Sequence, residues 1–142
     1  MAALPEPAIA DALLGHLAEM VTPLQIAWPG RPFTPPADPY LAVAMFRDPT
    51  EAATIASHDR HAGAMQVSVF WPTSSTTIRQ GVVAVSEVAA EIAAHFPRGA
   101  RIERGGYVVR IISPPSVLSP IQIEDGWEQT PVRIRWSAWA RI

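Results

Sequence analysis

The most concentrated set of chemically capable side chains in this sequence is the run His58-Asp59-Arg60-His61. Two histidines three residues apart, with an aspartate between them, could begin a metal site. The other two histidines, His16 and His95, fall on predicted helices and are distant in sequence. A solvated loop is therefore the favoured interpretation of this run. We expect no metal and no other cofactor.

Catalytic chemistry has little support in the sequence. Serine, histidine and aspartate are all present, but no Gly-x-Ser-x-Gly elbow exists, and the absence of cysteine excludes thiol catalysis. Gly105-Gly106 lacks the lysine and the following helix of a phosphate loop. The pair Glu87 and Glu91 is typical of a solvated helix face. We expect no enzymatic activity. A small hydrolase-like or accessory enzyme domain, with a nucleophile beside His58 or His61, is the distant alternative.

A second candidate surface lies near the carboxyl end of the chain. Arg133 and Arg135, with Trp136 and Trp139 close by, could form a basic aromatic strip for single-stranded nucleic acid. The formal net charge is -2, so the chain offers no overall basic excess to attract phosphates. The polar face of an edge strand, with buried tryptophans behind it, is favoured instead.

Composition indicates a protein that associates with other proteins. Hydrophobic residues make up 49% of the chain and charged residues 17%. A monomer with so few charges would expose much apolar surface, and a repeated protein interface would cover it. The start of the sequence has no basic and apolar leader pattern, and no run reaches about 18 apolar residues. We therefore expect no signal peptide and no membrane partner.

The 142 residues are expected to form a single domain, residues 1–142, with no need for a disulfide. Helical spacing of apolar residues predicts one helix at Pro5–Val21 and a second that ends near Phe96. Alternation and short apolar runs predict the strands, and Pro131 suggests that the last of them lies at an edge or carries a bulge. The predicted strands are Leu24–Trp28, Tyr40–Phe46, Ala64–Trp71, Ala100–Arg104, Tyr107–Ile112, Ile121–Glu124 and Trp127–Trp139.

This order predicts an α+β fold, a small, mostly antiparallel or mixed sheet flanked by two helices that pack on one face. The stripe of the second helix is expected to be buried against the sheet face of Met65, Val67 and Val69. That stripe consists of Ile78, Val82, Val85, Ala89, Ile92 and Phe96. Gly105-Gly106 predicts a tight hairpin.

A family resemblance rests on a series of segments in a fixed order. Trp28–Pro36 reads W-x-G-x-x-F-x-P-P, Pro39–Val43 reads PYLAV, and His61–Pro72 reads HAGAMQVSVFWP. A helix ending in AAHFPRG at Ala93–Gly99 and a late D-G-W follow. In this order and spacing, nearly the whole chain resembles the tail terminator, or tail completion, proteins of long-tailed phages and phage-like particles, which are related in kind to the lambda tail terminator.

The resemblance implies a structural role in the virion, at the head-proximal end of the tail, after assembly in the bacterial cytoplasm. Such proteins form a hexameric ring on the last ring of the tail tube, stop tube polymerisation and present a surface for joining to the head. The implied partners are other copies of the chain, the tail tube protein and a neck or head-completion protein, with DNA only as passing cargo. A neck or head-completion (connector) protein is the alternative of the same class.

The segment Arg47–Gly63, predicted as a long loop between two core strands, is the first candidate for the assembly interface, because binding groups usually lie on long loops. The apolar surface around Trp28 and Phe33 is the second candidate. Within Arg47–Gly63, the candidate contact residues are Arg47, Asp48, Glu51, Ile55, His58, Asp59, Arg60 and His61.

Overall fold

The computed structural model describes residues 4–52, 59–73, 79–124 and 126–141. Two α-helices are present in this part of the chain, α1 (Pro5–Ala18) and α2 (Ala84–His95), and a π-helical turn, Arg79–Val83, precedes α2. The strands are β1 (Gln25–Ala27), β2 (Tyr40–Arg47), β3 (Glu51–Ala52), β4 (Asp59–Pro72), β5 (Arg101–Arg104), β6 (Tyr107–Ile111), β7 (Ser116–Val117), β8 (Ile121–Glu124) and β9 (Trp127–Ala140).

The strands form one mixed sheet with the order β1-β2-β4-β9-β6-β5. β1 pairs with β2 in parallel, and the other pairings are antiparallel. β3 adds to β4, whereas β7 and β8 add to β9. The predicted α+β class and the mostly antiparallel sheet are confirmed. No helix of the described residues is long and apolar enough to cross a membrane.

The sheet is built around two 14-residue strands, β4 and β9. They pair in register from His61 opposite Ala138 to Pro72 opposite Trp127. β9 also pairs on its other side, with β6 along its second half and with β7 and β8 along its first half. Of the two expectations for the last strand, an edge position is therefore wrong. The pairing does contain an irregularity near the start of β9, where β8 shifts register between Gln122 and Glu124.

Local geometry explains how a central strand accepts Pro131. The carbonyl of Pro131 accepts a hydrogen bond from the Leu118 amide at 2.9 Å, so it points away from β4. The N–H and C=O of one strand residue point to the same side, and the missing amide of Pro131 therefore also faces away from β4. On that side of β9, β7 ends at Val117 and β8 begins at Ile121, so the missing amide of Pro131 faces the gap between these two strands. A proline at this position costs the sheet no ladder hydrogen bond.

Both helices pack against one face of the sheet, as predicted. Alternate residues of β4 and β9 point into the core, since neighbouring side chains in a strand lie on opposite faces. Met65, Val67 and Val69 of β4 are fully buried there. The core also contains the predicted face of β9, Val132, Ile134, Trp136 and Ala138, with Ile9, Leu13 and Leu17 of α1. On the opposite face of β2, β4, β9, β6 and β5 the described residues place no helix, and we call it the open face.

The second helix only partly matches its predicted stripe. Ala89, Ile92 and Phe96 are fully buried, as expected. Val82, however, is 72% exposed, so its predicted burial is wrong. The backbone of Gly81, immediately before Val82, is non-helical, with φ -97° and ψ -111°, so the predicted stripe does not run through one regular helix. Val82 instead lines an open cavity together with Val85. Ile78 lies outside the described residues.

The hairpin predicted at Gly105-Gly106 is confirmed. Arg104 of β5 and Tyr107 of β6 are paired, which leaves two residues in the turn. Gly105 and Gly106 both have positive φ, 57° and 81°. Two consecutive positive φ values define the type I′ turn, which matches the right-handed twist of antiparallel strands and is dominated by glycine, asparagine and aspartate.

The segment Arg47–Gly63 is not the long loop that was expected. β2 extends to Arg47, the short β3 pairs with the beginning of β4, and β4 is regular from Asp59. His61 lies inside β4 and is 5% exposed, so its assignment to a solvated polar loop is wrong. The strand predicted to begin at Ala64 is β4, which begins five residues earlier, at Asp59. The prediction missed these residues because charged and small side chains obscured the alternation of polar and apolar residues.

A reciprocal pair of histidines joins the carboxyl-terminal ends of the two helices. His16 Nε2 donates to the carbonyl of His95 at 2.7 Å, and His95 Nε2 donates to the carbonyl of His16. The two rings stack with their centroids 4.2 Å apart. The last carbonyls of a helix have few or no partners within the helix, and each ring donates a hydrogen bond to such a carbonyl of the other helix. The His16 carbonyl also accepts a hydrogen bond from the Glu19 amide at 3.2 Å.

We expect these two histidines to be energetically coupled. His16→Ala and His95→Ala should each lower the free energy of unfolding by about 1–2 kcal/mol, since each removes a hydrogen bond and one half of the stacked pair. The double variant should cost less than the sum of the two single variants, because either one already destroys the stack. Urea unfolding of the four proteins measures this coupling. Strictly additive losses would show that the two histidines act independently.

Candidate functional site

One end of the β4–β9 pair carries most of the predicted contact residues, and we call it the polar end (residues 47–52 and 59–61). Its inner part is fixed. Arg47 Nη2 donates to His61 Nδ1 at 3.0 Å, and Thr50 Oγ1 lies 3.4 Å from the same nitrogen. The Arg47 guanidinium also lies over the Trp136 ring, 5.5 Å from its centroid. Arg47 and His61 thus close the end of the core, and they are held in place by their neighbours.

The outer part of the polar end is exposed and charged. In the backbone register of the two strands, Glu51 of β3 lies opposite Arg60 of β4, and Ala52 lies opposite Asp59. All four of these residues are exposed. The side chain of Asp48 lies on the open face, where its carboxylate forms an ion pair with the Arg135 guanidinium at 3.0 Å. The structure therefore brings the described charges together around a short hairpin. The candidates Ile55 and His58 lie outside the described residues.

Metal chemistry gains no support from this geometry. Within the described ranges, no group of three His, Cys, Asp or Glu side chains is placed to hold a metal ion. The Nδ1 of His61 already accepts the Arg47 hydrogen bond. His58, the other half of the predicted pair, lies outside the described residues.

Trp28 and Phe33, the second predicted interface, do not form one surface. Trp28 is half-buried and packs against the core beside Leu14 of α1. Phe33 is half-buried against Tyr40, with ring centroids 5.3 Å apart, and therefore lies over the open face. The connection between Trp28 and Phe33 begins with a turn, in which the Arg31 N–H donates to the Trp28 carbonyl at 3.3 Å, and it leads the chain from the helix layer to the other side of the sheet.

An aromatic cluster on the open face was not predicted. Tyr40 stacks on Phe70 with centroids 4.8 Å apart and an interplanar angle of 1°, and Trp127 lies 5.7 Å from Tyr40. With Phe33, four rings from four separate segments cover one corner of the sheet. Tyr40 and Phe70 are neighbours because β2 and β4 place them in register, which a single sequence does not reveal.

The end of the β4–β9 pair opposite the polar end is apolar, and it too was not predicted. A cavity of about 310 Å³ opens there between Trp71, Val85 and Leu118. Several large apolar side chains around it are exposed, an arrangement typical of a protein interaction site. We call this surface the apolar end; its exposed members are Val82, Val83, Val117, Leu118, Ile121 and Ile123.

The basic aromatic strip considered for single-stranded nucleic acid is divided between two faces. Arg133 and Arg135 are exposed on the open face, and Trp139 shares that face, half-buried. Trp136 is fully buried in the core on the other side. Arg133 donates to Gln66 Oε1 at 2.8 Å, and Arg135 is paired with Asp48, so both guanidinium groups already have partners.

Comparison with known proteins assigns the chain to a family. The family model described as phage tail terminator protein matches residues 8–136. A solved chain without a functional name is 27% identical, with a TM-score of 0.75, and the match covers 99% of this chain and 98% of that one.

A chain in the solved virion of a native gene transfer agent particle has the same fold. Its TM-score is 0.62 at 14% identity, and the match covers 95% of this chain and 97% of that one. No curated protein matches the sequence. Because the family model spans most of the chain, from the first helix into the last strand, this protein belongs to the phage tail terminator family.

Proposed function

We propose that the chain forms a hexameric ring at the head-proximal end of a phage or phage-like tail, stops polymerisation of the tail tube and presents the surface to which the head or neck joins. The observation that carries this proposal is the contrast between the two ends of the β4–β9 pair. A terminator must contact the tube on one side and the neck on the other. The polar end and the apolar end are roughly 35–45 Å apart along the strands, so one subunit can bind two unlike partners.

The proposed role is structural and not enzymatic. The partners are other copies of the chain, the tail tube protein and a neck or head-completion protein, with DNA as cargo passing through the ring. A net charge of -2 suits such a channel, because a strongly basic lumen would retain phosphates. The protein would reside in the virion after assembly in the host cytoplasm.

The polar end is our first candidate for the assembly contact. Its base is held by defined contacts, since Arg47 lies over the Trp136 ring and donates a hydrogen bond to the buried His61. Its exposed charges, Glu51, Asp59 and Arg60, extend from that base. Ile55 and His58 belong to the connection between β3 and β4 and complete the proposed contact. A charged rim on a fixed base suits a contact between preformed parts.

The pairing of Ala52 with Asp59 allows a precise deletion. We expect that replacing residues 53–58 with Asn-Gly will leave the subunit folded, because a two-residue type I′ turn joins two paired strand residues directly. Ring formation or docking to the tube should be impaired at least tenfold. Sedimentation velocity measures ring formation, and electron microscopy of particles assembled with the variant measures tail length.

A second variant separates chain length from contact chemistry. A six-residue Gly-Ser linker at positions 53–58 preserves the length of the connection and removes its side chains. It should lose assembly as the Asn-Gly variant does. Rings and tails of normal length from both variants would exclude this connection as the contact. The apolar end and the surface around Phe33 would then be tested next.

A neck or head-completion protein is the second candidate function. It would show the same fold and the same two ends, so it differs only in its neighbours within the particle. Cross-linking of the assembled particle distinguishes the two functions. A terminator contacts the tail tube protein directly, whereas a neck protein contacts the portal or connector.

A further inference from the structure

The helix layer of this protein is acidic. α1 and α2 together contain four acidic residues and no arginine or lysine: Glu6, Asp11, Glu87 and Glu91. All four side chains are exposed. Glu19, just beyond the end of α1, is paired with Arg104 at 3.5 Å and adds no net negative charge. The exposed carboxylates of α1 and α2 themselves therefore give these two helices a negative outer surface.

The open face of the sheet has the opposite charge. By strand register, Arg101 and Arg110 lie on this face of β5 and β6, directly opposite each other, and both are exposed. Arg133 and Arg135 lie on the same face of β9. Ser137, the next residue of β9 on this face, is directly opposite Arg110 of β6 and so links the two arginine pairs into one patch. Like charges directly opposite each other on neighbouring strands are destabilising. The Arg101–Arg110 pair therefore does not stabilise its own hairpin, and a contact with another molecule would account for it.

The subunit neutralises only part of this patch. Arg135 pairs with Asp48, and Arg133 donates to the amide oxygen of Gln66. The nearby Glu103 is paired with Arg141 at 2.8 Å. Within the described part of the chain, Arg101 and Arg110 have no acidic partner at all. The patch keeps an excess of positive charge that another molecule can neutralise.

We infer that the acidic helix layer of one copy docks on the arginine patch of the open face of the next copy. This inference rests on the proposed ring and names the contact that builds it. The helix layer and the open face are opposite sides of a two-layer subunit. A contact between unlike surfaces is heterologous, and it closes into a ring when each subunit is rotated by a fixed angle, roughly 60° for six copies.

A second copy is favoured over a nucleic acid as the occupant of the open face. The complementary charge is present on the same chain, and the chain as a whole is weakly acidic. Phe46, which is 49% exposed, lies beside Arg133 and Arg135 and adds apolar area of the kind that protein interfaces bury.

Two charge-reversed variants test the contact. The sheet variant carries Arg101→Glu and Arg110→Glu, and the helix variant carries Asp11→Arg and Glu91→Arg. Each variant alone brings like charges together at every contact, and we expect ring formation to fall at least tenfold. In an equimolar mixture, the acidic sheet face of one variant meets the basic helix layer of the other. Rings of alternating subunits should then form again, which an even-numbered ring permits.

Sedimentation velocity and native mass spectrometry, with or without tail tubes, measure the rings. Circular dichroism establishes that each variant is folded. Normal rings from either variant alone, or failure of the folded mixture to assemble, would overturn the helix-to-sheet contact and leave the proposed function standing. A sheet variant that assembles normally but loses binding to labelled double-stranded DNA would make the open face a nucleic-acid surface and overturn the inference. A wild-type chain that forms no ring in solution or on tubes would instead overturn the proposed function.

Discussion

The variant Phe96→Ala is expected to lower the free energy of unfolding by about 3–5 kcal/mol. Phe96 is fully buried at the carboxyl-terminal end of α2. Its ring meets His16 edge-on at 4.8 Å and His95 at 5.3 Å, so it lies where the two helices are joined. Removing it leaves a cavity beneath the histidine pair, and this cavity adds to the lost transfer free energy of the ring.

Val82→Ala is the matched control for this prediction. Both residues belong to the apolar stripe predicted for the second helix, but Val82 is 72% exposed. Its truncation should change stability by less than about 0.5 kcal/mol. Urea unfolding at concentrations below assembly measures both variants. A similar loss for the two would show that the stripe is buried continuously, as the sequence pattern alone suggests.

These two residues also show how far periodicity can predict the fold. From Val85 to Phe96 the apolar spacing and the helix agree, because one regular helix presents one face to the sheet. The spacing continues through Gly81, where the backbone leaves helical geometry. Periodicity carries no information about such a break, since the side chains keep their order while their directions change.

The alternation of polar and apolar residues similarly predicted which residues of a strand are buried, but it did not predict which strands are neighbours in the sheet. The buried residues of β9 follow from its sequence, and the hairpin at Gly105-Gly106 follows from the turn preference for positive φ. The central position of β9 does not follow. Pro131 suggested an edge because the direction of its missing amide depends on the neighbouring strands, and these are known only from the pairing.

The candidate site required contacts between distant residues. The run that includes His61 looked like a polar loop because histidine, aspartate and arginine are usually solvated. His61 is buried because Arg47, fourteen residues earlier, supplies its hydrogen bond. The aromatic cluster and the arginine patch likewise combine residues from separate strands. Sequence reasoning identified Arg133 and Arg135 but could not add Arg101 and Arg110 to them.

Gly63→Ala is the second substitution with a large expected effect. Gly63 lies in β4, with Arg47 of β2 on one side and Trp136 of β9 on the other. A methyl group on Gly63 would collide with the carbonyl oxygen of Phe46 and would lie 2.9 Å from Cζ2 of Trp136. The Cα of Arg47 would be 3.2 Å away. Two of these three neighbours are backbone atoms of a paired strand, which cannot move without breaking the sheet ladder.

We therefore expect Gly63→Ala to lower the free energy of unfolding by about 3 kcal/mol, at the upper end of the range for overpacking. It should also displace the Trp136 ring, over which Arg47 lies. A change in tryptophan fluorescence or near-ultraviolet circular dichroism would report this displacement.

Gly15→Ala provides a control with the opposite sign. Gly15 lies inside α1, and the nearest atom to an added methyl group is Nη2 of Arg104 at 3.8 Å, an ordinary contact. Alanine there should stabilise the protein by about 0.5–1 kcal/mol, because it lowers the entropy cost of forming the helix. Equal effects of the two substitutions would contradict the close packing of Gly63. Opposite signs, with loss of the Trp136 signal in Gly63→Ala alone, would establish that β2 and Trp136 enclose this glycine and so fix the base of the polar end.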